Sequence, residues 1–192
     1  MESDSQRYNP EEERTPKTRL IVVNGDVCTG SSTLARTISV RLGISVVDAG
    51  TIYRNEVEKN PDLPSAELSA RINFMIEEMM RSGQGSVIEG RLVGIQAQAY
   101  EDVLRILTIA DLEVLVRRYS LREGIPNLSD AFEALSSRWE QDDRILRDAW
   151  DISRREAFDR DLYDLVIDTS YTTPEEICED LIVPKYFNPG HS

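Results

Sequence analysis

The sequence is poor in cysteine and histidine and has no long apolar run. Two cysteines that lie far apart, Cys28 and Cys178, do not suggest a disulfide scaffold, so we expect reduced thiols. The single histidine, His191, lies in the terminal "NPGHS", and we expect no histidine catalysis. No segment approaches the roughly 20 apolar residues of a membrane span, and the N-terminus lacks the basic-then-apolar layout of a signal peptide. We therefore expect a cytoplasmic protein.

Lysine is also scarce, and acidic residues are in excess. Lysine occurs only at Lys17, Lys59 and Lys185, so nearly all of the positive charge is arginine. The formal net charge of −13 repels nucleic-acid phosphate and anionic lipid at long range. We expect neither a nucleic-acid polymer nor a membrane as a partner. A small phosphorylated ligand would be held mainly by arginines, whose planar fork matches phosphate oxygens. The sequence does not indicate an oligomeric state.

The pattern along the chain predicts one α/β domain over 19–183. Residues 1–18 are charged and almost free of aliphatic side chains, so we expect disorder there, and a flexible tail over 184–192. Short β-branched runs alternate with amphipathic helices, which is typical of a parallel sheet covered by helices on both faces. Five strands are predicted, within 19–25, 44–50, 86–90, 101–110 and 162–170.

Helices are predicted from apolar spacing and from their end signals. One begins after the glycine loop and ends at Gly43, and another spans 65–81. The charge-dense stretch 111–160 is expected to be helical, with breaks near "EGIPNLSD" and "DAWDIS". Thr173 and Pro174 are typical of the cap and the first position of a last helix.

A glycine loop follows the first strand, in the stretch "VVNGDVCTGSSTLAR". The spacing of Gly25, Gly30 and Ser32 matches a phosphate-binding loop at every defined position except the lysine. That position holds Ser31. Such glycines let consecutive N–H groups face one anion, the helix N-terminus adds about half a positive charge, and the Ser32 hydroxyl can hold Mg²⁺. The alternative is a glycine turn that joins strand to helix without a ligand.

Three further stretches, taken with this loop, resemble the short archaeal-type cytidylate kinases over about 19–181. They are "DAGTIYR" at 48–54, "IEGRLVG" at 88–94 and "YDLVIDTSYTTPEE" at 163–176. The resemblance implies the P-loop nucleoside-monophosphate kinase fold, a five-stranded parallel sheet flanked by helices, with a helical lid at about 136–160. It also implies transfer of the ATP γ-phosphate to CMP or dCMP, with Mg²⁺ as cofactor and these nucleotides as partners.

The resemblance also assigns site residues by position. The ATP phosphates would be surrounded by Gly25, Asp26, Cys28, Thr29, Gly30, Ser31, Ser32 and Thr33, with Ser32 as the metal ligand. The acceptor nucleotide would be bound by Asp48, Gly50, Tyr53, Arg54, Glu89, Gly90 and Arg91. Of these, Asp48 and Glu89 would orient the arginines or a Mg²⁺-bound water. The lid would supply catalytic arginines, namely Arg138, Arg144 and Arg147. Arginine forks suit phosphoryl transfer, which depends mostly on positioning and charge neutralisation.

The serine at position 31 leaves alternatives open. Loss of one preorganised donor costs about 10² to 10³ in rate. Either an arginine from the lid or a neighbouring helix replaces the charge, or the protein binds nucleotide without efficient turnover, or the serine is an engineered change. Arg36 is expected to face away from the first helical turn. A regulatory nucleotide-binding protein and a kinase for another small acceptor are the alternative functions. The acceptor base is open as well, because Leu92 stands where longer bacterial cytidylate kinases carry aspartate.

Overall fold

The chain folds around a five-stranded, all-parallel sheet. The structure, a computed structural model, describes residues 20–82 and 85–183, so the predictions for 1–18 and 184–192 lie outside the described residues. The sheet order is β2-β3-β1-β4-β5, with β1 Leu20–Gly25, β2 Ser45–Asp48, β3 Ser86–Glu89, β4 Val103–Ile109 and β5 Leu165–Asp168. Each strand lies within a segment predicted to contain one, and the predicted α/β fold is confirmed.

Helices pack on the sheet. They are α1 Ser31–Leu42, α2 Ala49–Lys59, α3 Ser65–Arg81, α4 Val93–Gln96, α5 Leu112–Glu123, α6 Leu128–Trp150, α7 Arg154–Ala157 and α8 Pro174–Ile177, with 3₁₀ turns at Ala97–Ala99 and Arg160–Leu162 and a π-helical turn at Cys178–Ile182. The breaks predicted within 111–160 fall at Gly124 and Asp151, which both have positive φ. In the part of the chain that the structure describes, no helix is long and apolar enough to cross a membrane.

The central strand β1 is buried along its whole length. Because successive side chains of a strand point to opposite faces, Ile21 and Val23 pack in the cluster that contains α1. Leu20 and Val22 pack in the cluster that contains α3. Each fully buried aliphatic side chain contributes about 1.5–3 kcal/mol. This core holds in place the strand that leads into the glycine loop.

A third apolar cluster lies beside the loop. It joins Val27 of the loop to α5 and α6, through Leu115, Tyr119, Ala131 and Leu135. The hairpin of α5 and α6 therefore packs against the loop, and the second half of α6 and α7 form the stretch predicted as the lid.

The carboxyl ends of the parallel strands meet at one edge of the sheet, where open α/β sheets bind ligands. Gly25, Asp48 and Glu89 end β1, β2 and β3. The strand pairing sets Asp48 opposite Glu89, and Glu89 opposite Val23 of β1. The glycine loop and the stretches at 48–54 and 88–94 are thereby brought side by side.

Candidate active site

The glycine loop leads from β1 directly into α1. A Cβ at Gly25 would lie 2.2 Å from Thr108 Oγ1 and 2.4 Å from Thr29 Oγ1, so only glycine fits there. Cys28 and Gly30 both have positive φ, of 65° and 88°. No described side chain caps α1. The first N–H groups of this helix are therefore left for an anion, as in a phosphate-binding loop.

The Thr29 side chain is fixed beneath the loop. Its Oγ1 lies 2.8 Å from Thr108 Oγ1 and 2.8 Å from the carbonyl oxygen of Asp26. Thr169 donates to the Thr29 carbonyl at 2.6 Å. Since its hydroxyl is used inside the protein, Thr29 offers a ligand only its backbone. Cys28 is half-buried as a free thiol, and burial raises its pKa. Thr33 is exposed.

Ser31 occupies the lysine position and is bonded to the neighbouring strand. Its hydroxyl donates to Glu89 Oε1 at 2.8 Å, and both side chains are buried. Burial raises the pKa of Glu89, the bond from Ser31 opposes this rise, and the charge of Asp48 adds to it. The Ser32 side chain also lowers the pKa of Glu89 and so favours its ionised form. Ser31 thus holds the Glu89 carboxylate at the end of β3 by a hydrogen bond and, unlike a lysine, carries no positive charge.

Ser32 and Glu89 together fit a magnesium ion. They bring a hydroxyl and a carboxylate to one place, and Mg²⁺ takes oxygen ligands. Among residues 20–82 and 85–183 there is no group of three or more His, Cys, Asp or Glu side chains that could hold a metal. Mg²⁺ does not need one, because it is usually bound by one or two protein groups together with substrate phosphates. The charge of Arg36 also lowers the pKa of Glu89, and it is the smallest of the causes that shift this pKa.

The stretch at 48–54 begins α2. Asp48 caps the helix by accepting from Thr51 N at 2.9 Å, and Arg54 donates to Thr51 Oγ1 at 2.7 Å. Arg54 Nη2 lies 3.8 Å from Asp48 Oδ2, and the Arg54 side chain is 69% exposed. Gly50 packs beside both side chains, and Tyr53 is exposed. Asp48 and Arg54 are therefore in contact at the edge of the sheet, with the guanidinium open to solvent.

Arg91 follows β3 and contacts the predicted lid. It forms an ion pair with Asp142 of α6, whose side chain is only 3% exposed. Arg138 Nε lies 3.1 Å from the same carboxylate oxygen. Gly90 is tightly packed, with its Cβ position 2.8 Å from Ala49 Cβ. One buried carboxylate thus brings together a predicted acceptor residue and a predicted lid residue.

The other two lid arginines are not drawn into this cluster. Arg147 is exposed and donates to Asp143 Oδ2 at 2.8 Å, one turn earlier on α6. Arg144 is exposed and has no ion-pair partner among the described residues. The structure therefore places Arg138 next to Arg91, while Arg144 and Arg147 lie on the exposed surface of α6.

Two arginines that the sequence reasoning did not select contact the loop. Arg154 Nε donates to Asp26 Oδ2 at 2.6 Å, and its guanidinium stacks on Trp139, 4.5 Å from the ring centre. Arg118 of α5 donates to the Cys28 carbonyl at 3.2 Å. Both are more than 80 positions from the loop in sequence. No local pattern indicates such contacts, because helix packing creates them.

Comparison with known proteins identifies the family of this chain. The model of the cytidylate kinase-like family matches residues 55–171, more than half of the chain. A cytidylate kinase of Ignicoccus hospitalis is 32% identical over 173 residues, covering 84% of this chain and 96% of that relative. This chain belongs to the cytidylate kinase-like family. A cytidylate kinase of Pyrococcus horikoshii is 31% identical over 171 residues, covering 84% of this chain and 86% of that relative.

Solved structures agree with the fold of this cytidylate kinase-like protein. A shikimate kinase from Acinetobacter baumannii, in complex with shikimate, has a TM-score of 0.57 and 13% identity, covering 91% of this chain and 96% of that one. At this identity the likeness shows the fold alone. The sheet flanked by helices is thus a P-loop kinase fold, as the resemblance implied.

Proposed function

We propose that this protein transfers the γ-phosphate of ATP to CMP or dCMP. The observation that carries the proposal is the meeting of a glycine loop and the ends of β2 and β3 at one edge of the sheet. A protein that only senses ATP needs no second phosphate site, and Arg54 with Arg91 supplies one beside the loop. The cytidylate kinases among its relatives support the choice of acceptor.

The donor end of the proposed site is the loop with the first turn of α1. The uncapped N–H groups after Gly30 bind the phosphates of ATP, and the helix dipole strengthens this binding. Bound Mg²⁺ would be held by the Ser32 hydroxyl and by Glu89, directly or through water, and would offset phosphate charge. Glu89 must be ionised for this, and Ser31 stabilises the ionised form by its hydrogen bond.

The acceptor end holds the phosphate of the nucleoside monophosphate. Arg54 and Arg91 bind it from opposite sides, and Asp48 orients Arg54. Arg138 is kept beside Arg91 by their shared partner Asp142. These cations place an acceptor oxygen in line with the γ-phosphate, and positioning supplies much of the rate in such reactions. Arg144 and Arg147 join them from the lid.

An acceptor panel tests the proposal. ADP formation is followed with ATP, Mg²⁺ and CMP, dCMP, UMP, AMP or GMP, and binding of ATP and CMP is measured in parallel. We expect turnover with CMP or dCMP, and loss of that turnover in Arg91→Ala. Arg117→Ala is the control, because Arg117 is an exposed arginine of α5 whose ion-pair partner among the described residues is Glu113 on its own helix.

The other possible results of the acceptor panel each change a different part of the proposal. Turnover with a different monophosphate changes the acceptor. Binding of ATP and CMP without turnover supports a regulatory nucleotide-binding protein, the alternative that the missing loop lysine favours. Absence of CMP binding overturns the acceptor site. The cytoplasmic location and the lack of nucleic-acid partners stay predictions from composition.

A further inference from the structure

Arg154 places a guanidinium against the glycine loop. Its Nε and Nη2 both bond to Asp26 Oδ2, and the side chains of Arg154 and Asp26 are 33% and 11% exposed. A guanidinium has five N–H donors. The bonds to Asp26 use the edge formed by Nε and Nη2. The Nη1 donors have no acceptor among the described residues. They remain available to an anion beside the loop.

Local contacts hold Arg154 in this position. Stacking on Trp139 restrains the guanidinium plane, as expected for a cation over an aromatic face. Its backbone N–H donates to Asp143 Oδ1 at 2.7 Å. Ser153 and Glu156 form a capping box that closes the first turn of α7. Both the side chain and the backbone of Arg154 are therefore fixed.

A buried network ties α7 to the strand that enters the loop. Tyr163 OH donates to the Ala157 carbonyl at 2.7 Å and accepts from Asn24 Nδ2 at 2.5 Å. Asn24 directly precedes Gly25, and burial raises the pKa of Tyr163, which keeps its hydroxyl proton in place. These bonds fix the position of α7, and therefore of Arg154, relative to the loop.

The other arginines near the loop are occupied or lie elsewhere. Arg118 donates to the carbonyls of Cys28 and Thr169, so its guanidinium supports the loop from the side of α5. Arg36 is an exposed residue of α1. Arg91 is paired with buried Asp142, as described above. Arg154 alone among the described residues forms an ion pair with a loop side chain.

We propose that Arg154 supplies the cation that Ser31 does not, by contacting the phosphate chain of the donor nucleotide through Nη1. This inference rests on the proposed function. In the transfer, the bond between the γ-phosphorus and the β,γ-bridging oxygen breaks, and an acceptor phosphate oxygen forms a bond to that phosphorus. ADP leaves with the electron pair on the bridging oxygen. Arg154 stays protonated and offsets the charge carried by these oxygens.

A comparison of two adjacent arginines tests this. Arg155 is the next residue on α7, is exposed and has no ion-pair partner among the described residues, so Arg155→Ala is the control. We expect Arg154→Ala to lower kcat about 100-fold or more, the usual cost of one preorganised donor, and Arg155→Ala to leave it unchanged. Affinity for ATP should fall more than affinity for ADP in Arg154→Ala. Equal effects of the two variants overturn the proposal.

Rescue separates a cationic role from a structural one. A lysine at position 31 would restore the missing charge, so Arg154→Ala should cost much less activity in a Ser31→Lys protein than in the native chain. If Arg154 only holds α7 in place, Ser31→Lys does not rescue it. Arg154→Lys should keep part of the activity, because the charge is retained without the fork.

A second background tests whether Arg154 merely neutralises Asp26. In Asp26→Asn there is no loop carboxylate left to neutralise. If Arg154 contacts phosphate, Arg154→Ala still lowers ATP affinity in this background. If that loss disappears, the proposal is wrong.

Binding and turnover distinguish this proposal from the kinase activity itself. Turnover of CMP that is insensitive to Arg154→Ala overturns the role of Arg154 and leaves the kinase. Absence of turnover with every acceptor, together with a selective loss of ATP affinity in Arg154→Ala, overturns the kinase and supports the role of Arg154.

Discussion

The donor and acceptor ends of the candidate site differ in how completely their side chains are held. At the donor end, Thr29 and Ser31 are buried and hydrogen-bonded, and Asp26 is ion-paired to Arg154. At the acceptor end, Arg54 is largely solvent-exposed, and β2 is an edge strand whose first residues are exposed. Arg91 lies between these extremes, with a side chain that is 37% exposed and a buried partner.

In terms of the proposed function, the difference corresponds to a preformed donor site next to an acceptor site that is completed on binding. Preorganised donors stabilise charge without rearrangement at the moment of reaction. Ordering a long exposed side chain costs about 0.5–1.5 kcal/mol on binding. The Arg54 side chain is ordered only when the acceptor binds, whereas the side chains of Thr29 and Ser31 are already fixed by folding. We therefore expect substitutions at the donor end to change stability, and substitution of an exposed acceptor-end side chain such as Arg54 to change acceptor affinity.

Two glycine substitutions test this most directly and have the largest expected effect. Gly25→Ala would press a Cβ into Thr108 and Thr29 at 2.2 and 2.4 Å, so we expect a loss of about 2–3 kcal/mol in unfolding free energy, together with loss of ATP binding. Gly50→Ala meets only Asp48 and Arg54 side chains, at 3.1 and 3.4 Å, and should change stability by less than about 1 kcal/mol. Urea unfolding measures both, and equal losses would contradict a preformed donor end.

Two arginine substitutions have an intermediate effect. Arg91→Ala removes one of two partners from buried Asp142, and we expect it to lower the unfolding free energy by about 1–2 kcal/mol as well as reduce turnover. Arg54→Ala removes an exposed group and should change stability by less than about 0.5 kcal/mol while raising the KM for CMP. A stability loss in Arg54→Ala as large as in Arg91→Ala would contradict the difference in how the two arginines are held.

The smallest effect concerns the pH dependence of Glu89. Burial raises its pKa in the folded protein, so the native state binds this proton more tightly than the unfolded chain. The resulting stability is present at low pH and is lost as pH rises from the ordinary carboxyl pKa through the raised one. Glu89→Gln should remove this loss, which urea unfolding across the acidic range would show. Glu58→Gln, at an exposed position on α2, is the control, and an identical profile in both variants would contradict burial as the cause.

Local patterns were enough to predict the strands and the helix that follows the glycine loop, but not α2, which carries Arg54. The helix at 65–81 has the predicted bounds, and Thr173 with Glu176 forms the predicted cap as a capping box. These features depend on residues a few positions apart, which the sequence displays directly. The contacts of Ser31 with Glu89 and of Arg91 with Asp142 join residues 58 and 51 positions apart, and no local rule reveals their pairing.

The amino-acid order alone specified the strand, loop and helix of the candidate phosphate site, since glycine conformations and apolar periodicity are properties of neighbouring residues. It also showed that the lysine position holds serine. Which cation lies against the loop was decided by tertiary structure. Arg154 contacts Asp26, although the two residues are 128 positions apart in the sequence. Two sets of contacts bring them together, namely the packing of α5 and α6 on Val27 and the bonds of Tyr163 to Asn24 and Ala157. A charge acts through distance in space, and only the folded chain sets that distance.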